Sequence, residues 1–235
     1  MTTQSVPSDP VTGANRNDRR RQRTRETILA AADRVFRRKG VDAATVNDVT
    51  EEADVAYGSF YNHFKTMDEV VAALTTATLL RVADRTAEIL QRADQVELLP
   101  CIGARVIIRM LSQDPAIRWL LNRPYILVDE FHKVARPFMV NAEGQAVKEG
   151  RLKPAGGHEC WLQTFPWLLI SELNAVLVDA DMNAHEERFA QVSLRFLGVD
   201  DALVPELIAK SKSMVMDEAE SELASPKQSR STRRR

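Results

Sequence analysis

Between Thr45 and Lys65 the stretch TVNDVTEEADVAYGSFYNHFK leaves room for two short helices joined by a turn of about four residues, and for little else. Thr45, with Asp48 three residues on, has the form of a capping box, which satisfies two orphan helix-end donors reciprocally. Val46, Val49 and Ala53 make a short apolar stripe on the helix that follows. Asp54 and Val55 turn the chain, and Asp is a residue type that tolerates positive φ at such a turn. A further short helix then runs to about His63. Its segment, DVAYGSFYNHFK, is dense in rings, hydroxyls and amides. A solvated helix face would carry Lys, Glu or Gln; hydroxyls, rings and a glycine instead suit close approach to phosphates and base edges.

The flanks supply the rest of the pattern. Asp18 caps a longer helix that opens on an arginine run and continues through TRETILAAADRVFRRKG. Ile28, Leu29, Ala32, Val35 and Phe36 recur at the spacing of one buried face. Lys39 and Gly40 end it, a cation near the carbonyl end and then a residue able to take the left-handed cap. Val55, Phe60 and Phe64 are placed to point inward onto Ile28, Val35 and Phe36, which leaves Tyr57, Gly58, Ser59, Tyr61, Asn62 and His63 outside. Thr66-Met67-Asp68-Glu69 reads as a second capping box, opening a fourth helix that reaches about Arg92. Three helices followed by a long one, with a tight turn between the second and third, is a helix-turn-helix arrangement.

Residues 25 to 70 resemble the N-terminal DNA-binding domain of the tetracycline-repressor (TetR) family. The family pattern runs roughly R-x-x-I-L-x-A-A-x-x-L-F-x-x-x-G, then T-x-x-x-I-A-x-x-A-G-V-S-x-G-T-L-Y-x-H-F-x-S-K-E-x-L. Arg25, Ile28, Leu29, Ala31, Ala32, Phe36, Gly40, Thr45, Ala53, Val55, Gly58, Tyr61, His63, Phe64 and Glu69 stand at matching positions. The resemblance implies that Thr45, Tyr61, His63 and Lys65 contact phosphates, that Tyr57, Gly58 and Ser59 face the bases, and that Phe60 and Phe64 are core. Three departures stand out. Asp54 replaces a turn glycine, Ala56 replaces the serine that would cap the recognition helix, and Met67 replaces a lysine. The missing hydroxyl cap is worth about 1 kcal/mol. Arg19, Arg20 and Arg21 are placed to compensate by reaching the DNA backbone or minor groove.

Beyond the fourth helix no alternating strand pattern occurs, so the chain reads as all-α. Segments 96–111, 115–122, 125–150, 158–180, 184–197 and 205–221 each read as helical, matching a family whose second domain is a helical ligand-binding and dimerisation unit. The 158–180 helix is apolar on nearly every side, so it must be covered on every side. Its Leu169, Leu173 and Val176, with Phe189, Val192 and Phe196 of the next helix, are assigned to a homodimer interface; the competing reading is that they fill the core of one chain. Pro137 and Pro166 interrupt apolar helices and are expected to kink them and open a cavity. Met110, Trp119, Tyr125, Phe131 and Phe138 are candidates to line it, together with Met139, Trp161 and Phe165. His132 and Gln163 would be its polar anchors. The competing reading makes most of these ordinary core residues.

The boundaries are therefore set at a disordered arm over 1–17, a DNA-binding domain over 18–66, a helical domain over 67–220 and a basic tail over 221–235. A net charge of −1 over 235 residues argues against a generally basic nucleic-acid coat. Arginines instead cluster at the two ends, and the C-terminal cluster reads as a solubilising tail. Cys101 and Cys160 lie in apolar stretches and read as buried, reduced thiols. No apolar run is long enough to span a bilayer, and no apolar leader opens the chain, which points to the cytoplasm. His132, His158 and His185 are scattered, no phosphate loop, nucleophile elbow or metal-spaced cluster appears, and no cofactor is implied. His185-Glu186-Glu187 reads as the start of a solvated helix. The expectation is a homodimeric repressor on a palindromic operator of double-stranded DNA, released by a small hydrophobic or aromatic ligand. The alternatives are an activator, an architectural protein without a ligand, or a partner-binding protein that has lost DNA affinity.

Overall fold

A computed structural model describes residues 16–93, 95–179 and 181–224; of 217–224 only the helical backbone is described. The expected N-terminal arm up to residue 15 and the basic tail from 225 lie outside the described residues. Among the described residues every regular element is helical, and the chain divides into two compact units, Met1–Val70 and Val71–Arg235.

In the first unit α1 (Arg16–Lys39) starts two residues ahead of the expected Asp18, so the arginine run is helical from its first member. Ile28, Ala31, Ala32, Val35 and Phe36 are its buried face, and Leu29 is only half-buried at the edge of that face. Gly40 takes φ 78°, the left-handed cap read from the sequence. α2 (Val46–Glu52) carries the capping box in full: Thr45 accepts from the Asp48 backbone N–H, and Asp48 accepts from that of Thr45. Arg34 and Arg38 of α1 clamp Glu52 at the end of α2, at 2.7 and 3.1 Å. Asp54 then turns the chain at φ 50°, the one non-glycine with positive φ among the described residues.

α3 (Tyr57–Tyr61) is held down by Phe60, which is fully buried, and by Phe64 just beyond it. The two rings lie 5.9 Å apart, and the Arg25 guanidinium sits 4.8 Å above the Phe64 ring. Val55, expected inside, is half-buried. α4 (Met67–Leu90) begins in this unit and continues in the second. Its cap is displaced from the expected form: Thr66 accepts from Glu69, but the Glu69 carboxylate accepts from the Lys65 backbone at 2.7 Å, one residue earlier than a capping box requires.

The second unit contains α5 (Leu98–Ser112), α6 (Ile117–Leu121), α7 (Pro124–Lys148), α8 (His158–Val176), α9 (Met182–Phe196) and α10 (Val204–Ala224). α5 is its axis, with α8, α9 and α10 against it. A helix covered on all sides has nowhere to put a charge, yet Arg105 of α5 is fully buried. Its guanidinium donates to Glu186 of α9 at 3.2 Å, to the Ser211 hydroxyl and to the Ile208 carbonyl. Arg109 also donates through two nitrogens to the two oxygens of Glu186. The expected solvated start of α9 is therefore wrong, because His185 and Glu186 are both buried. His185 is engaged by Glu172 at 2.6 Å and by the Asp179 carbonyl. Gly198, at φ 69°, closes α9 where a Cβ would stand 2.4 Å from the Lys153 carbonyl oxygen.

Pro137 and Pro166 lie inside α7 and α8, and both helices run on through them. Cys101 is buried, and burial pushes its thiol up to about 12; Cys160 is exposed, against expectation. Both thiols are free.

Candidate nucleic-acid interface and ligand cavity

The outward face of α3 follows from its inward one. With Phe60 locked in the core, the neighbours on the opposite side, Tyr57, Gly58 and Tyr61, are exposed, and Ser59 is half-buried. The two tyrosines form a pair, with rings edge-to-face at 5.5 Å and hydroxyls 3.0 Å apart. The hydrogen bond between the two hydroxyls is the largest cause that raises the Tyr61 phenol above its ordinary value. A Cβ at Gly58 would meet nothing within 4 Å. Packing therefore does not require a glycine there, although glycine costs a helix roughly 0.5–1 kcal/mol relative to alanine. Ala56 gives α3 no side-chain cap, as its sequence implies.

Beside α3 the start of α1 builds a cationic concavity. Arg20, Arg21 and Thr24 face Ser59, Asn62 and His63 across an open space of about 350 Å³, and Asp18, Arg21, Gln22, Arg25 and His63 border another of about 310 Å³. Arg21 reaches the Asn62 carbonyl at 3.4 Å. Partial burial, then the nearby Arg21 and Arg25, hold the His63 imidazole below its ordinary pKa. The neutral ring and the fixed arginines offer donors where a polyanion would bring acceptors. Arg19 is exposed on the same turn of α1, and Lys65 is exposed beyond α3.

Thr45 is different. Its hydroxyl donates to Asp48 at 2.5 Å and its backbone N–H to the same carboxylate at 2.8 Å. Lys39 pairs with that carboxylate at 2.5 Å, and Lys39 followed by Thr45 holds Asp48 down at about 2. Both hydrogens of Thr45 are thus committed inside the protein, and Lys39, absent from the sequence-based set, is the cation beside them.

The second unit contains a cavity of about 50 Å³ with a nearly all-apolar wall. Of the ten expected lining residues, Phe131, Phe138, Met139, Trp161 and Phe165 border it. The other five do not. Met110 is half-buried outside the lining, Trp119 is buried beneath the Arg123 guanidinium at 4.3 Å, and Tyr125 is exposed, edge-on to Trp167. Gln163 lies on the surface and donates to Glu159. His132 is half-buried, and its Nε2 has no hydrogen-bond partner. The wall also includes residues that the sequence did not suggest: Leu79, Val82, Ala83 and Thr86 of α4, a face of α5, and Glu143 of α7. Helical spacing of four residues carries Phe131 through Ala135 and Met139 to Glu143, which is the one signal that could have suggested the carboxylate.

Of the expected dimer residues, Leu169, Leu173 and Phe189 are buried by their own chain, so they have no surface left for a second copy. Val176 is half-buried, Phe196 packs on Trp161 at 5.2 Å, and Val192 is exposed. Helix α8 instead exposes Trp167, and Val178 just after it is almost fully exposed. Among the described residues no group of three or more His, Cys, Asp or Glu is placed to hold a metal ion, and no helix is long and apolar enough to cross a membrane.

A helix-turn-helix unit with a cationic flank, continued by an all-helical unit around an apolar cavity, defines a helix-turn-helix protein of two-unit design. Residues 28–74 match the family model for bacterial regulatory proteins of the tetR family. The transcriptional regulator TtgR of Pseudomonas putida is 37% identical over 81 residues, covering 34% of this chain and 38% of that protein. The transcriptional repressor KstR2 of Mycobacterium tuberculosis is 28% identical over 142 residues, covering 55% of this chain and 70% of that one. The alignment to TtgR thus spans well under half of that relative's length. The crystal structure of RolR with resorcinol shares the fold at a TM-score of 0.71 and 19% identity, over 81% of this chain and 95% of that one. Residues 28–74 therefore carry a domain of the tetR family of bacterial regulatory proteins.

Proposed function

We propose that the protein is a repressor that binds a palindromic operator as a homodimer and leaves it when a small, mostly apolar molecule occupies the cavity of the second unit. The observation that carries this reading is α3, whose exposed Tyr57 and Tyr61 stand beside Gly58, an exposed glycine for which packing has no need. Tyr57, Gly58 and Ser59 read base edges. Tyr61, His63, Lys65 and the arginines at positions 19, 20 and 21 hold phosphates, with Lys39 as the nearest cation at the start of α2. The KstR2 relative is a repressor, which supports that sign of regulation, and RolR has been crystallised with an aromatic ligand, resorcinol.

Two copies read two half-sites, and the spacing of the half-sites reflects the symmetry of the dimer. Exposed Trp167, Val178 and Val192 are apolar side chains of α8, α9 and their connection that a partner copy would cover. Ligand control requires different affinities of the ligand for the DNA-bound and released states. Helix α4 supplies four residues of the cavity wall and is continuous in sequence with the recognition unit. Such a regulator works in the cytoplasm, where its DNA is. Selection from a random pool of duplex DNA by the purified protein tests the reading. An inverted repeat is the expected product; recovery of no motif at low salt would favour the partner-binding alternative.

A further inference from the structure

We propose that the cavity of the second unit takes a small apolar molecule, aromatic or aliphatic, with one hydroxyl group, and that this hydroxyl donates to Oε1 of Glu143. The inference rests on the ligand-binding reading above and names the chemistry of the ligand. In an otherwise apolar wall Glu143 is 1% exposed, and it is the only ionisable side chain among the lining residues. Its two oxygens are unequally satisfied. Oε2 accepts from His158 Nε2 at 2.9 Å and from Trp161 Nε1 at 3.1 Å. Oε1 receives only the longer leg of the Trp161 bond, at 3.3 Å. A carboxylate oxygen has room for two donors, and leaving a buried one short is costly. Burial pushes the Glu143 carboxyl above its ordinary range, opposed by His158 and Trp161, so the site gains from one more donor.

The rest of the wall decides between donor types. An ammonium group carries three N–H donors and a full charge, and the side chains around it would be mainly carbon. Thr86, the other polar side chain in the lining, already gives its proton to the Val82 carbonyl at 2.7 Å. A hydroxyl needs one acceptor, and one is there. At about 50 Å³ the cavity is smaller than the roughly 150 Å³ that holds a benzene ring, so entry of a ring requires displacement of the wall. Met139 is unbranched, and Phe138 is only half-buried; these are the side chains able to yield. His158 and Trp161 meanwhile hold the carboxylate in place, so the anchor is formed before the ligand arrives.

Calorimetric titration of the full chain with phenol and with toluene tests this, because the two probes have similar size and only phenol has the donor. The expected result is a preference for phenol of about tenfold or more, the size of a hydrogen bond to a charged acceptor. Glu143→Met keeps the volume, removes the acceptor and should abolish the preference. Glu143→Gln, which retains an acceptor for Trp161 and is the safer fold, should reduce it to a few-fold. Ala135→Phe, which fills the wall, should abolish binding of both probes. Equal affinity of the wild-type protein for phenol and toluene would overturn the role of Glu143 while leaving a ligand-gated regulator intact. Phenol binding that survives Ala135→Phe would place the site elsewhere and overturn the inference as well. Binding of neither probe, with operator binding preserved, would reject this ligand class without touching the DNA reading.

Discussion

The two units of this chain solve opposite problems with the same kind of element. In the first, short helices keep a small core and turn their polar chemistry outward: Phe60 goes in so that Tyr57, Gly58 and Tyr61 stay out. In the second, long helices bury even charge, in the ion pair of Arg105 and Glu186. One unit has arginine-bordered open concavities and the other a small apolar cavity with a single carboxylate. The lesson is about where charge is tolerated. Arginines on α1 remain in water and are available to a polyanion, whereas Arg105 needs three partners to be buried at all.

Substitutions in each unit test this contrast, and the largest effects come from each unit's most buried group. Glu186→Gln leaves Arg105 in the core without its carboxylate, and about 3–5 kcal/mol of stability should be lost from the second unit. Phe60→Ala should cost the first unit a similar 3–5 kcal/mol. Denaturant melts followed by circular dichroism should show both losses. If the contrast holds, DNA binding disappears with Phe60→Ala while the second unit keeps its cooperative transition.

Replacing Arg19, Arg20 and Arg21 together with alanine acts only through the surface. It should leave the melting temperature nearly unchanged and flatten the dependence of log affinity on log salt by up to about 3, roughly 0.9 for each phosphate that is no longer neutralised. An unchanged slope would remove these residues from the interface.

Gly58→Ala is smaller and has two opposite signs. The added methyl has open space, so the helix should gain roughly 0.5–1 kcal/mol. The same methyl should weaken operator binding if, as proposed, bases approach Gly58. Stabilisation without any loss of affinity would mean that nothing approaches Gly58.

The smallest effect is a pH dependence. Lys39 and Thr45 hold Asp48 at about 2, below its unperturbed 3.8. Because the folded pKa is the lower one, this contribution is complete above about pH 4 and is lost as pH falls towards 2. Acid titration of the first unit's stability should show that loss, and Asp48→Asn should erase it.

What the sequence reveals differs between the units for a physical reason. Helix starts and turns are local: the Thr45–Asp48 box, the left-handed Gly40, the positive φ of Asp54 and the uncapped Ala56 each depend on residues a few positions apart. Even there the Thr66 box is slipped by one, because Glu69 reaches the Lys65 amide instead. In the second unit the deciding partners are distant in sequence. Nothing near His185-Glu186 announces that Arg105 and Arg109 await Glu186 across 77 to 81 residues, so a buried pair of residues reads as a solvated helix start. The same blindness applies to Leu169, Leu173 and Phe189: apolar periodicity gives a covered face without saying whether the cover is the same chain or another copy. It also hides Glu143, since a carboxylate on a long helix reads as solvent-facing until Trp161 and His158 are placed beside it.

The orientation of α3 decides whether this protein reads DNA as proposed. Selection from random duplex DNA, run in parallel with the wild-type chain and with Tyr57→Ala, measures it. The expected result is an inverted repeat in both cases, with the same half-site spacing and altered base preference inside each half-site for the variant. An identical motif from both proteins would contradict the proposal, because Tyr57 would then face away from the bases and the outward surface of α3 would not be the one that reads DNA.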